Sequence, residues 1–222
     1  MHLDRQVVGG QAPLRGPALG DRGEDVQQRG GVLGFLIGLG GEHSITSGIV
    51  RAVKHKHGKL SVLQIDAHAD LRDSYEGTPF SHASAMRRVR DLGVSVVGVG
   101  IRNYSAEEHR FMKKHRIQPV TPREARMNAD WIQQVVDRLS ENVYVTIDID
   151  GFDPAYAPGT GTPEPGGLDW FQVSDLLKAT AMFRRIVAAD VVEVIPMPGS
   201  MQTEFLAAKL VYKLIAHIEA NR

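Results

Sequence analysis

Five short apolar runs divide most of this chain: Val32–Leu39, Leu60–Ile65, Val94–Val99, Val143–Ile149 and Ile186–Val194. Each is about as long as a strand buried on both faces, and such strands belong to parallel sheets covered by helices. The stretches between them carry helical patterns, over Ser44–His57, Ser81–Leu92, Ser105–His115, Asn128–Leu139, Gln172–Phe183 and Thr203–Glu219. Ser44 is a candidate cap, Gly58 and Gly93 are stop signals, and Ser105 with Glu108 spells a capping box. Strand and helix alternating with glycine punctuation predict one α/β domain, a mostly parallel central sheet with helices on both faces. The expected domain is residues 31–222. Residues 1–30 are glycine-rich with little apolar periodicity and read as a separate, loop-like segment.

Composition narrows the function classes. Lys and Arg number 26, as do Asp and Glu, so the net charge is zero and no basic stripe invites a nucleic acid. There is no cysteine, which excludes disulfides, thiolate metal ligands and a cysteine nucleophile. The longest apolar run is interrupted by glycines and too short for a membrane span. Nothing at the amino terminus has the pattern of a secretion signal, so a cytoplasmic protein with a small-molecule partner is expected.

In a parallel α/β sheet, ligands bind beyond the carboxyl ends of the strands. The first run is followed by Gly40-Gly41-Glu42-His43-Ser44 and the second by Asp66-Ala67-His68-Ala69-Asp70. The fourth leads into Asp148-Ile149-Asp150-Gly151-Phe152-Asp153-Pro154, and the fifth carries Glu193 near its end. Asp66, His68 and Asp70 are spaced i, i+2, i+4, which aims them to one side if the backbone stays extended. Alone, an Asp-x-Asp is usually a turn or a helix cap, and a Gly-Gly-x-His a tight turn. Together, four aspartates on one rim repel unless they take up protons or hold cations, and no Lys or Arg lies within these motifs. Asp66, Asp70, Asp148 and Asp150 with His43 and His68 offer more ligands than one tetrahedral ion uses, which implies two ions sharing carboxylates.

The three motifs, in this order, resemble the signatures of the ureohydrolase (arginase/agmatinase) family, and the likeness runs from about Gly34 to His217. The resemblance implies an arginase-like three-layer α/β/α sandwich, two Mn²⁺ ions per subunit, and hydrolysis of a guanidino group to an amine and urea. It implies that His43, Asp66, Asp70 and Asp148 hold one ion, and that His68, Asp66, Asp148 and Asp150 hold the other. Oxygen-rich ligation with two imidazoles suits manganese better than zinc. Asp70 is expected to relay a proton as well, and His82 to act as a proton shuttle at the mouth. Glu193 and Thr162 match family residues beside the guanidinium. Asp153 is expected to shape the turn rather than to ligate. His55, His57, His109, His115 and His217 fall within helical patterns and read as structural.

The Glu164-Pro165 pair and Ser81-His82-Ala83-Ser84 look like agmatinases rather than arginases, so agmatine is the expected substrate, with guanidinobutyrate or arginine as alternatives. A non-catalytic, metal-binding member is the reading from another class. The resemblance also implies a homo-oligomer, trimeric or hexameric. Family members normally place a strand ending in a Gly-Val-Pro-Phe-Asp-like turn before the Gly-Gly-x-His motif. Residues 1–31 contain no such strand, so a shortened or divergent start with an incomplete sheet is expected.

Overall fold

A computed structural model describes residues 35–221, and the structural statements that follow concern those residues. Five strands run parallel: β1 (Leu36–Leu39), β2 (Ser61–Ile65), β3 (Ser95–Val99), β4 (Asn142–Asp148) and β5 (Arg185–Val192), in the spatial order β1-β5-β4-β2-β3. The described helices are α1 (Ile45–His57), α2 (Ala85–Asp91), α3 (Ala106–His115), α4 (Pro122–Met127), α5 (Trp131–Arg138), α6 (Trp170–Phe183) and α7 (Gln202–Ala220). From β2 the chain steps outward to β3, and from β4 it steps the other way to β5. The strand order therefore reverses between β2 and β4, where an open α/β sheet leaves a crevice for ligands.

Alternation along the strands builds the layers. Leu63, Ile65, Val143, Val145 and Ile147 point to one face and pack with Val135 of α5, Leu176 and Leu177 of α6, and Leu210 and Leu214 of α7. Val62, Tyr144 and Ala188 point to the other face, against Val50 and Val53 of α1, Met86 and Val89 of α2, and Met112 of α3. This is the expected three-layer α/β/α sandwich. None of the described helices is long and apolar enough to cross a membrane.

The second face changes character one step toward the carboxyl ends. Gly38, Asp190, Thr146, Gln64 and Gly98 stand side by side in register across the five strands. Gln64, Thr146 and Asp190 are buried polar residues in otherwise apolar strands, and each has partners. Asp190 Oδ2 accepts from Thr46 Oγ1 and from Tyr144 OH, both at 2.6 Å, tying the start of α1 to the centre of the sheet. Burial first, and then the Asp190 charge, push the Tyr144 phenol far above its ordinary range, so it stays a donor. A Cβ on Gly38 would come within 3.1 Å of Asp190 Cβ, so glycine makes room for the carboxylate on the neighbouring strand.

Boundaries depart from expectation in particular places. Of the first expected run, residues 32–34 lie outside the described residues, as do residues 1–30. The fifth run ends as a strand at Val192, because Glu193 takes a left-handed backbone (φ 62) that cannot continue a β ladder. Ser44 does not cap α1: its backbone is already helical, and its side chain makes no cap hydrogen bond. Helix α4 was not anticipated. Thr121 caps it, Pro122 opens it and Glu124 closes a capping box, so its six residues are organised by end signals rather than by an apolar face.

Tyr144→Phe removes one of two donors from a fully buried carboxylate. A loss of about 1–3 kcal/mol of unfolding free energy is expected, read from the denaturant midpoint. Because Thr46 serves the same oxygen, Thr46→Val and Tyr144→Phe should combine non-additively.

Candidate metal centre

The six expected ligands meet where the strand order reverses. Asp66 directly follows β2 and Asp148 ends β4, side by side because Ile65 pairs with Ile147. His43 lies in the turn after β1, fully buried. Asp150 sits in a 3₁₀ turn over Ile149–Gly151, and its backbone N–H donates to Asp148 Oδ1 at 3.0 Å. That turn presses on the Asp66 backbone: a Cβ on Gly151 would lie 2.8 Å from Asp66 N, so only glycine fits. Asp66, His68 and Asp70 do converge, but not through extended backbone. β2 ends at Ile65, the chain bends at Ala67, and Asp70 adopts a left-handed conformation (φ 52).

His43 Nδ1 lies 2.9 Å from Asp70 Oδ2 and 3.3 Å from both Asp66 Oδ2 and Asp148 Oδ2. No hydrogen bond closes to any of them, although the atom is buried. The other ring nitrogen, Nε2, is 2.9 Å from Thr146 Oγ1. An imidazole nitrogen aimed at three carboxylate oxygens is a cation's donor set. A second group adjoins the first. His68 Nδ1 is 2.9 Å from Asp150 Oδ2, and the ligand atoms of Asp66, His68 and Asp150 lie within 4.8 Å of one another, as do those of His43, Asp66 and Asp148. Asp66 belongs to both groups and Asp148 to the first. These residues therefore fit divalent cations.

The electrostatics express the same crowding. Burial, then the charges of Asp70 and Asp150, raise Asp66 to about 7. Burial with Asp66 and Asp150 raises Asp148 well above the carboxylate range. Burial alone would lower His68, but the hydrogen bond and charge of Asp150 outweigh it and lift the ring to about 9. His43 is likewise raised, burial opposing and Asp148, Asp66 and Asp70 prevailing.

Hydrogen bonds from outside the motifs hold the groups in place. Gln64 Nε2 donates to Asp66 Oδ2 at 2.9 Å and to the His68 carbonyl at 3.0 Å. Glu108 reaches past its own helix cap to accept from Leu71 N at 2.9 Å. Sequence reasoning missed Gln64 and Thr146. The signal for both was a polar residue two places before a motif aspartate, on the same face of an apolar strand.

Above the centre opens a cavity of about 400 Å³. Its acids are Glu42, Asp70, Glu108, Asp148, Asp150 and Glu193, and Arg72 is the one Lys or Arg among the lining residues. Glu193, His82 and Thr162 all reach this cavity. Glu193 Oε1 accepts from His43 N at 2.8 Å, and Thr162 Oγ1 donates to Asp150 Oδ2 at 3.1 Å. His82 Nδ1 is 3.2 Å from Glu42 Oε1, which also accepts from His82 N at 2.8 Å. Asp153 spends its oxygens on Ala155, Gly166 and Gly167 N–H groups, which shapes the turn as expected. None of the five helical histidines lines the cavity.

Fold and site together define a parallel α/β protein with an acidic rim at its topological switch point whose residues fit divalent cations. The chain belongs to the arginase family, whose model matches residues 22–217. It is 40% identical over 185 residues to N(1)-aminopropylagmatine ureohydrolase of Synechocystis sp., a match covering 82% of this chain and 60% of that one. It is 40% identical over 177 residues to agmatinase of Pyrococcus horikoshii, covering 80% and 60%. The solved agmatine ureohydrolase of Thermoplasma volcanium superposes with a TM-score of 0.75 at 38% identity, covering 83% of this chain and 62% of that one. The chain thus spans about 60% of the length of these curated relatives.

Proton linkage gives the centre a sign. Groups raised in the folded state stabilise it at low pH and lose that contribution as pH climbs through the raised value. Chelator-treated protein should therefore lose stability between about pH 4 and 9, Asp66 failing up to about 7 and His68 between 6.5 and about 9. A divalent ion must displace the same protons, so Mn²⁺ affinity should rise with pH over that window. Thermal melts with EDTA and with Mn²⁺, from pH 5 to 9, should diverge, the stabilisation by Mn²⁺ growing as pH rises. Parallel trends would mean that the acidic groups are not the ion's ligands.

Proposed function

We propose that this chain hydrolyses the guanidino group of agmatine, releasing putrescine and urea, at a dinuclear manganese centre. The observation that carries the reading is His43 Nδ1 set 2.9–3.3 Å from three carboxylate oxygens, beside a second His-Asp group, next to an acidic cavity. His43, Asp66, Asp70 and Asp148 would hold one ion, and His68, Asp66, Asp148 and Asp150 the other. When bound, such a pair of divalent ions supplies a strongly nucleophilic water at neutral pH.

The chain's own groups do the rest. One oxygen of Glu193 is held by the His43 N–H, which sets the carboxylate to meet the planar guanidinium with charge-assisted hydrogen bonds. Thr162 fixes Asp150 from the substrate side. His82, with Nδ1 turned to Glu42, presents its other ring nitrogen to carry a proton, and Asp70 passes a proton toward the departing amine.

Charge in the cavity supports agmatine over arginine and guanidinobutyrate. A substrate carboxylate would find Arg72 as its one Lys or Arg partner there, and Arg72 is already engaged, 3.9 Å from Glu108 Oε2 and over the Tyr75 ring. A diamine-like cation meets carboxylates instead. The name of the Synechocystis relative favours a second reading, N(1)-aminopropylagmatine, a longer cation of the same kind.

The test is urea release, with Mn²⁺ added, from agmatine, N(1)-aminopropylagmatine, arginine and guanidinobutyrate. Release from the two amines and not from the two acids is expected. No urea from any of the four at any manganese level would sink the hydrolase reading. Asp148→Asn and His68→Ala should each lower kcat at least 10³-fold, roughly the scale of losing a metal's stabilisation of the transition state, and should also lose at least one bound ion.

A further inference from the structure

The sequence feature that the proposed mechanism leaves unused is Glu164. Its neighbourhood reads as a substrate-specificity feature, yet Glu164 is not among the residues lining the cavity, which receives Gly161 and Thr162 from this segment. The carboxylate turns instead toward the back of His68. Glu164 Oε1 stands 3.8 Å from His68 Nε2, the ring nitrogen that does not face Asp66 and Asp150. Asn103 Nδ2 donates to the same oxygen, and His68 pairs with Asn103 through an isolated bridge.

The backbone behind this contact is unusually well fastened. Arg102 Nη2 donates to the Glu164 carbonyl at 2.6 Å and Arg102 Nε to that of Pro165 at 3.2 Å. The same guanidinium donates to the carbonyls of Gly100, Asp150, Gly151 and Phe152 at 2.9–3.3 Å. It thereby joins the loops after β3 and β4 to the Glu164 segment. Prolines on both sides of Glu164 restrict its conformation further, so presenting the carboxylate costs little entropy. Arg102 makes its hydrogen bonds to the Glu164 backbone, and although its charge and the Asn103 amide also act on the carboxylate, the carboxylate still faces His68.

We propose that Glu164 is a positioning residue for the metal centre: its carboxylate, 3.8 Å from Nε2, faces the outward N–H of His68 and acts on it through charge, favouring one ring tautomer and orientation and strengthening Nδ1 as a ligand. The proposal rests on the cation-centre reading given above. A metal-bound imidazole usually gives its second N–H to a carboxylate, carbonyl or water, and removing that partner typically weakens metal binding roughly 10–100-fold. At His43 the corresponding place is filled by Thr146. The two candidate ions therefore have separate supports, and the supports can be removed one at a time.

The experiment is calorimetric titration of the full chain with Mn²⁺ alone, paired with electron paramagnetic resonance of the bound manganese, for wild type, Glu164→Val, Glu164→Gln and Thr146→Val. Glu164→Val should weaken one of two manganese equivalents about 10–100-fold and spare the other, turning an exchange-coupled signal into a mononuclear one. Glu164→Gln keeps the side chain's shape without its charge and should weaken the same equivalent. Thr146→Val should weaken the complementary equivalent. The idea falls if Glu164→Val leaves both affinities unchanged, weakens both equally, or raises KM for agmatine without touching manganese binding. The idea falls too if Glu164→Gln binds both equivalents as tightly as wild type. If the wild-type chain itself takes up no Mn²⁺, the cation-centre reading fails with it. Retained metal binding without urea release would remove only the hydrolase reading.

Discussion

Like-charge repulsion at the rim between β2 and β4 is the constraint around which this structure is organised. Asp66, Asp70, Asp148 and Asp150 approach one another with Asp66 fully buried and the others nearly so. Such a group is costly to assemble, since each charge loses its hydration and faces its neighbours through a poorly screening interior. The metal-free electrostatics record that cost as protons retained on Asp66, Asp148, His43 and His68. Cations relieve it. Folding therefore has to be driven from elsewhere, by the apolar layers on both sheet faces.

The row of polar residues beneath the rim mediates between those layers and the site. Gln64 and Thr146 each stand one pleat period before a rim aspartate, and they spend their hydrogen bonds upward, on Asp66 and His43. Asp190, in the same row, spends its bonds sideways and fastens α1 through Thr46, three residues beyond His43. A ligand set held to within tenths of an ångström needs supports of this kind, since side chains on loops alone would be too loose. Here Gln64 and Thr146 act from strands, while every candidate ligand but Asp148, the last residue of β4, comes from a turn or loop.

What could be read from residue order follows the same division. The apolar runs announced the strands, and the three motifs announced where the strand ends gather, because burial and charge leave strong local patterns. The convergence of Asp66, His68 and Asp70 was legible, though its cause was not. Spacing suggested extended backbone, whereas a bend at Ala67 and a left-handed Asp70 bring them together. Glu193 shows the same limit: as a residue it read as functional, but its left-handed backbone, which ends β5 early, depends on contacts made in the folded state. Gln64, whose partners are two and four residues further along, left a local signal, a polar residue in an apolar strand, whereas the site contacts of Thr146, Arg102 and Asn103 were illegible for a related reason. Their partners lie on other strands or loops, and register is a property of the assembled sheet.

The two histidines of the centre are treated unequally, and the difference follows from where each stands. His43 is sealed beneath the start of α1, where a neutral hydroxyl from Thr146 suffices to orient it and a further buried charge would add to the repulsion. His68 borders the cavity and keeps about a quarter of its side chain exposed, so water competes for its outer nitrogen. An anionic neighbour is affordable there because solvent screens it, and useful because it outcompetes water for that N–H. Glu164, about a third exposed, stands 3.8 Å from that nitrogen, and the proposed role would place it there. In the proposed centre, burial orients the inner ligand and charge orients the outer one. In that proposal the outer ligand is the one whose strength can change through a single residue that does not line the cavity.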